Sequence, residues 1–226
     1  IDINSSRKAI DLADKFACIY AAVGIHPNDG LSWNENSYRE LVELSRHPKV
    51  VAIGEIGLDY HWQDCPKHIQ QKVFEEQLNL AEEVHLPVII HSRESLADIF
   101  IQLKKWIKIA NGNSTNKLHG VLHAFEGNSD SGKVAIDLGF AIGIGGPVTY
   151  KNAKDKQSLA QQIDLQNLLL ETDSPFLTPS PFRGQRNHPR FINIIAQRIA
   201  QIRNMQIKLI AQATTKNAND LFAWEP

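Results

Sequence analysis

Six short apolar runs rich in β-branched residues recur along the chain: ACIYAAVGI (17–25), VVAIGEI (50–56), PVII (87–90), LHGVLH (118–123), FAIGIGG (140–146) and NLLLET (167–172). Each has the length of a strand. They are nearly continuous rather than alternating, the pattern of strands covered on both faces. Between them the period changes to that of a helix. Val73, Phe74, Leu78, Ala81 and Val84 line one face while Glu75, Glu76, Glu82 and Glu83 take the other. Leu96, Ile99, Phe100, Leu103 and Ile107 repeat the stripe over 95–109, and Ile192, Ile195, Ile199 and Ile202 do so near the end. These stripes predict core packing, and a strand spacing close to the ~30 residues of a βα unit predicts parallel strands.

No low-complexity linker divides the chain. NGNSTN (111–116) is a loop of turn formers, so a single domain over 1–226 is expected. Regular βα repetition allows an open doubly wound sheet or a closed barrel. An open dinucleotide-binding sheet would carry GxGxxG at the start of a helix, whereas GIGG (143–146) runs into a proline and a threonine.

The strand ends favour the barrel, because there every active-site group projects from the C-terminal strand ends and the loops that follow. Five of the six runs carry a ligand-type side chain at, or within one residue of, their end: His26, Glu55, His91, His123 and Asp173. A lone histidine at such a position is ordinarily structural; five convergent groups point to a metal centre. Imidazoles and carboxylates together suit zinc, manganese or magnesium, and carboxylates are able to bridge two ions. His47, His61, His68, His85, His119 and His188 lack strand-end placement and are read as structural or surface residues.

Charge refines the picture. Lysine and arginine number 24 against 25 acidic residues, so no global basic field would hold a polyanion. A local patch is needed. Arg183 and Arg186 in PFRGQRNHP follow the last run, where barrels often hold phosphate, and Arg93 lies two residues past His91. Cys18 and Cys65 stand alone without a CxxC pair, and neither a membrane span nor a signal peptide is visible. A soluble cytoplasmic protein is expected.

Read in order, GIHP, AIGEIGLDY, Q..F..QL.LA, LPVIIHSRE, LHAFEG, ETDSPFLTP and RGQRN resemble the signatures of TatD-like metal-dependent deoxyribonucleases, across essentially the whole chain. The resemblance implies an α/β fold of amidohydrolase-like TIM-barrel type, with six of its eight βα units recognisable here. It also implies DNA as substrate and a pair of divalent ions (Mg2+, Mn2+ or Zn2+) on Glu55, His91, His123 and Asp173, with Glu55 as the bridge. No lysine ends a strand, which favours a carboxylate bridge over the modified lysine of other amidohydrolases. The expected chemistry is attack by a metal-bound hydroxide, the pKa of water falling from about 15.7 toward ~7 on a divalent ion, with Asp173 as general base. His26, Arg93, Arg183 and Arg186 are expected to contact substrate, and Asp59 to orient a ligand. The family opens with a strand carrying HxH, a pair not found in these 226 residues. About 40 to 50 upstream residues, two βα units, are therefore expected in the natural protein. Two other readings keep the same site: a hydrolase of a small ester, amide or phosphate compound, or a catalytically impaired binding scaffold.

Overall fold

The computed structural model describes residues 1–110 and 119–224; the NGNSTN loop and Leu118, the first residue of the fourth apolar run, lie outside the described residues. The chain groups into two compact units, Ile1–Val121 with Leu221–Pro226, and Leu122–Asp220.

In the first unit, α1 (Ile3–Lys15) comes before any of the predicted strands. It starts where it does because Asp2 accepts a hydrogen bond from Ser5 N at 2.7 Å while Ser5 Oγ accepts one from Asp2 N at 2.8 Å, a reciprocal capping box. There follow β1 (Ala21–Val23), α2 (Glu35–Ser45), β2 (Val50–Asp59), α3 (Lys67–Val84), β3 (Val88–Arg93), α4 (Leu96–Ala110) and β4 (Gly120–Leu122). The first apolar run is thus trimmed to three residues, since Ile19 N closes a turn onto Phe16 O ahead of the strand. The second is extended through Asp59. β1 pairs with β2 and β2 with β3, both parallel. Ile53, Ile56 and Leu58 of β2, Phe74 and Leu78 of α3, and Ile99 and Leu103 of α4 are fully buried. One predicted solvent position is different: Glu76 accepts an indole hydrogen bond from Trp33 and is half-buried.

The second unit holds α5 (Ser129–Asp137), β5 (Phe140–Ile144), α6 (Lys154–Gln162), β6 (Leu168–Leu170), α7 (Ile192–Arg203) and most of α8 (Ile207–Phe222). β5 and β6 are parallel, with Ile142 opposite Leu168 and Ile144 opposite Leu170. Phe140, Ile142 and Leu168 are buried, as are Ile195 and Ile199 of α7. Asn217 of α8 donates to the carbonyls of Leu165 and Leu168 at 2.7 and 2.9 Å, which ties that helix to the start of β6.

All six predicted runs therefore carry a strand, in the sequential order β1-β2-β3-β4-β5-β6 that a succession of βα units generates. No helix among the described residues is long and apolar enough to cross a membrane.

Gly57 shows how tightly β2 lies on β3. Its φ is +141°, and a Cβ there would sit 2.1 Å from the carbonyl oxygen of His91. Both backbone conformation and space demand glycine. Gly57→Ala is expected to cost about 3 kcal/mol or more, a fall of roughly 6–12 °C in melting temperature by scanning calorimetry.

Candidate metal centre

Glu55 owes its aim to an irregularity in β2. Ile53 pairs with Val88 and Ile56 with Ile90, three steps on one strand against two on the other. The extra residue falls at Gly54–Glu55, and a bulge of this kind re-aims a side chain at a strand mouth. Glu55 Oε1 lies 2.7 Å from His91 Nδ1 and 3.8 Å from His26 Nε2. The two imidazoles meet edge to face with ring centroids 4.5 Å apart. Ligand atoms from all three residues lie within 4.8 Å of one another.

Behind His91 stands Asp59, 1% exposed, with Oδ2 at 3.0 Å from His91 Nε2. Its other oxygen accepts from the backbone N–H groups of His61 and Trp62 at 3.0 and 3.2 Å. Asp59 is thus held by two main-chain N–H groups with its second oxygen turned to the imidazole. Nδ1 faces Glu55 Oε1 at 2.7 Å, so each ring nitrogen of His91 has a carboxylate oxygen beside it. Carboxylate–histidine pairing of this kind orients a metal ligand and raises its basicity.

His26 behaves differently. Burial, reinforced by the neighbouring His91 and opposed by Glu55 and Asp59, pushes its pKa down to about 4, so the ring is neutral near pH 7. Its Nδ1 accepts from Asn28 N at 3.2 Å. A neutral imidazole carries one N–H, so Nε2 is the donor. His26 thus points an N–H donor into the cluster. Glu55 and His91, with ligand atoms 2.7 Å apart and the imidazole backed by a buried carboxylate, fit part of the shell of a divalent ion.

Two residues that hold this geometry are absent from the sequence-based candidates. Gln77 Oε1 accepts from Ile25 N at 2.7 Å and its Nε2 donates to Ile25 O at 2.9 Å, clamping the residue before His26. Gln70, two helical turns earlier on α3, does the same to Asp59: Oε1 accepts from Asp59 N and Nε2 donates to Asp59 O, both at 2.8 Å. Both are 1% exposed. A signal was present in the pattern, since each falls on the apolar face shared by Val73, Phe74, Leu78 and Ala81. A polar residue on a core stripe needs a partner.

In the second unit, His123 Nδ1 lies 3.4 Å from Glu171 Oε2, and Glu171 Oε1 accepts from Ala124 N at 2.5 Å. Glu171 therefore holds both the His123 ring and the main chain after it. Sequence reasoning took Asp173 from ETDSP and passed over Glu171. The approach requires Gly143, whose Cβ would lie 2.6 Å from Glu171 Oε2. Asp173 has φ +55°, and its carbonyl closes a turn by accepting from Phe176 N at 2.7 Å; no helix begins there. Asn187, the last residue of RGQRN, is 2% exposed and donates to the carbonyls of Thr172 and Phe176 at 2.6 and 2.5 Å, bracketing Asp173.

The arginines stand on the surface. Arg93 lies 5.6 Å over the ring of half-exposed Trp62 in the first unit, and Arg183 lies 4.5 Å over Tyr150 in the second. Arg93, Arg183 and Arg186 are exposed and carry no ion pair among the described residues.

The family profile described as "TatD related DNase" matches residues 1–223. The chain is 42% identical over 215 residues to the uncharacterized metal-dependent hydrolase YabD of Bacillus subtilis, covering 95% of this chain and 82% of that one. It is 34% identical to the 3'-5' ssDNA/RNA exonuclease TatD of Citrobacter koseri, over 98% of this chain and 84% of the relative. Among solved structures, YJJV, a TatD homolog from Escherichia coli K12, superimposes with a TM-score of 0.90 at 32% identity, over 99% of this chain and 84% of that one. On the match along its length, the likeness of fold and a cluster of metal-ligand type, the chain belongs to the TatD-related DNase family of metal-dependent hydrolases.

Proposed function

We propose that the protein hydrolyses phosphodiester bonds of DNA with a pair of divalent ions held by Glu55, His91, His123 and Asp173. The observation that carries this reading is the cluster at Glu55: His91, backed by the buried Asp59, lies 2.7 Å from Glu55 Oε1, and the N–H of Asn28 on Nδ1 of His26 turns the Nε2–H of that ring inward. One side then serves a cation and the other an anionic oxygen. A bound divalent ion supplies Lewis acidity and lowers the pKa of water. Asp173 takes the proton as water attacks phosphorus, its carboxylate presented by a left-handed turn that Asn187 holds. His26 Nε2–H donates to a non-bridging phosphate oxygen. Arg93, Arg183 and Arg186, without internal anionic partners, neutralise the strand. The name of the Citrobacter relative agrees with a nucleic-acid substrate.

With Mg2+ or Mn2+, the full natural protein is expected to shorten an end-labelled single-stranded DNA, and chelator is expected to abolish this. Asp173→Ala should lower kcat about 100-fold or more. DNA left intact with every one of Mg2+, Mn2+ and Zn2+ would overturn the reading.

The clamp on the residue before His26 gives a separate expectation. Gln77→Leu strands a buried N–H and C=O at Ile25, at roughly 1–3 kcal/mol each. If the clamp sets the site, titration calorimetry of chelator-stripped protein should show Mn2+ binding weakened about tenfold or more. A lower melting temperature with unchanged Mn2+ affinity would reduce Gln77 to a fold-stabilising role.

A further inference from the structure

The second unit contains a cavity of about 600 Å3 lined by Tyr150, Lys151, Asn152, Ala153, Ser180 and Arg183. That volume lies in the range of small-ligand sites. One wall follows the 3₁₀ turn after β5 (Gly146–Thr149), and the other is the loop after β6. The walls are fastened together. Tyr150 O–H donates to Thr178 O at 2.9 Å, and Ser180 N donates to Thr149 Oγ1 at 2.8 Å. Thr178 Oγ1 in turn donates to Gln185 O at 2.6 Å, so the loop carrying Arg183 is itself braced.

The lining chemistry is selective. It contains two cations and no acid, and neither Lys151 nor Arg183 has an ion pair among the described residues. The guanidinium of Arg183 lies 4.5 Å over the Tyr150 ring, and that ring is fixed by its phenol. A flat cation backed by a fixed ring is a stacking surface for another π system. Beside it, Lys151 is an exposed point charge for phosphate. A flat ring joined to an anion describes a nucleotide. Bases within a duplex have both faces covered by neighbours, so only an unpaired base presents a face to such a surface. No histidine or carboxylate lines the cavity, so a phosphate held there has no metal ligand beside it.

We propose that this cleft seats one unpaired nucleotide of a single-stranded nucleic acid substrate. The choice of substrate rests on the phosphodiesterase reading above; the binding site stands on its own residues. It makes Tyr150 and Lys151 determinants of single-strand preference, alongside Arg183.

The test is fluorescence anisotropy of an end-labelled oligothymidylate of about ten nucleotides, titrated with the full natural protein in chelator, where no cleavage occurs. Tyr150→Leu is expected to raise Kd about tenfold, and Tyr150→Phe, which keeps the ring, by less than about threefold. Lys151→Ala should reduce the salt slope of log Kd by about 0.7. Duplex of equal length should bind without dependence on Tyr150. A Tyr150→Leu protein that melts like wild type and binds within about twofold of it would overturn the cleft, as would an equal loss on duplex. Should Tyr150→Leu fail to fold, an unchanged salt slope for Lys151→Ala overturns it instead. Hydrolysis of bis(p-nitrophenyl) phosphate by wild type with Mn2+ is measured in parallel. Its failure, with Tyr150-dependent oligonucleotide binding intact, sinks the phosphodiesterase reading and leaves the cleft standing. Hydrolysis present with Tyr150-independent binding does the reverse.

Discussion

Where a strand ends, its main-chain N–H and C=O groups lose their ladder partners just where a metal enzyme needs rigid backbone. An unpaired buried group costs roughly 1–3 kcal/mol, and water at such a place would loosen the side chains beside it. Here three buried carboxamides take the place of the missing ladder. Gln77 pairs with both polar groups of Ile25, Gln70 with both of Asp59, and Asn187 donates twice to the turn that carries Asp173. An amide side chain suits this because it offers a donor and an acceptor in one plane, as a neighbouring strand would. Each holds the backbone of, or beside, a residue with a role in the proposed chemistry.

On that scaffold, two histidines are set by carboxylates. Asp59 fixes His91 from behind, and its burial is tolerable because two backbone N–H groups and an imidazole satisfy it. Glu171 approaches His123 while taking the N–H of Ala124. His26 has no such carboxylate on its Nδ1; it has a backbone N–H, and so it presents a proton instead of a lone pair. One hydrogen bond on the far side of the His26 ring thus sets which atom it turns to the cluster.

Surface charge follows the same economy. A formal net charge of −1 attracts no polyanion at long range. The arginines left without internal partners, two of them lying over aromatic rings, supply short-range contact and stacking in its place. Recognition built this way depends on the ligand's flat faces as much as on its charge.

Six strands, their order and the principal helices were readable from the sequence because burial writes a local period: continuous apolar runs for strands, stripes at three and four residues for α3, α4 and α7. His26, Glu55, His91, His123 and Asp173 were readable as candidates because each lies at, or within one residue of, the end of such a run. The resemblance in their motifs added the family. Tertiary structure alone decided the rest. Gln77 meets Ile25 across 52 positions, and Glu171 meets Ala124 across 47. No local period records partnerships at that separation. It also decided the bulge that aims Glu55 and the tautomer of His26, since a side chain's direction and its proton answer to neighbours that only folding brings near.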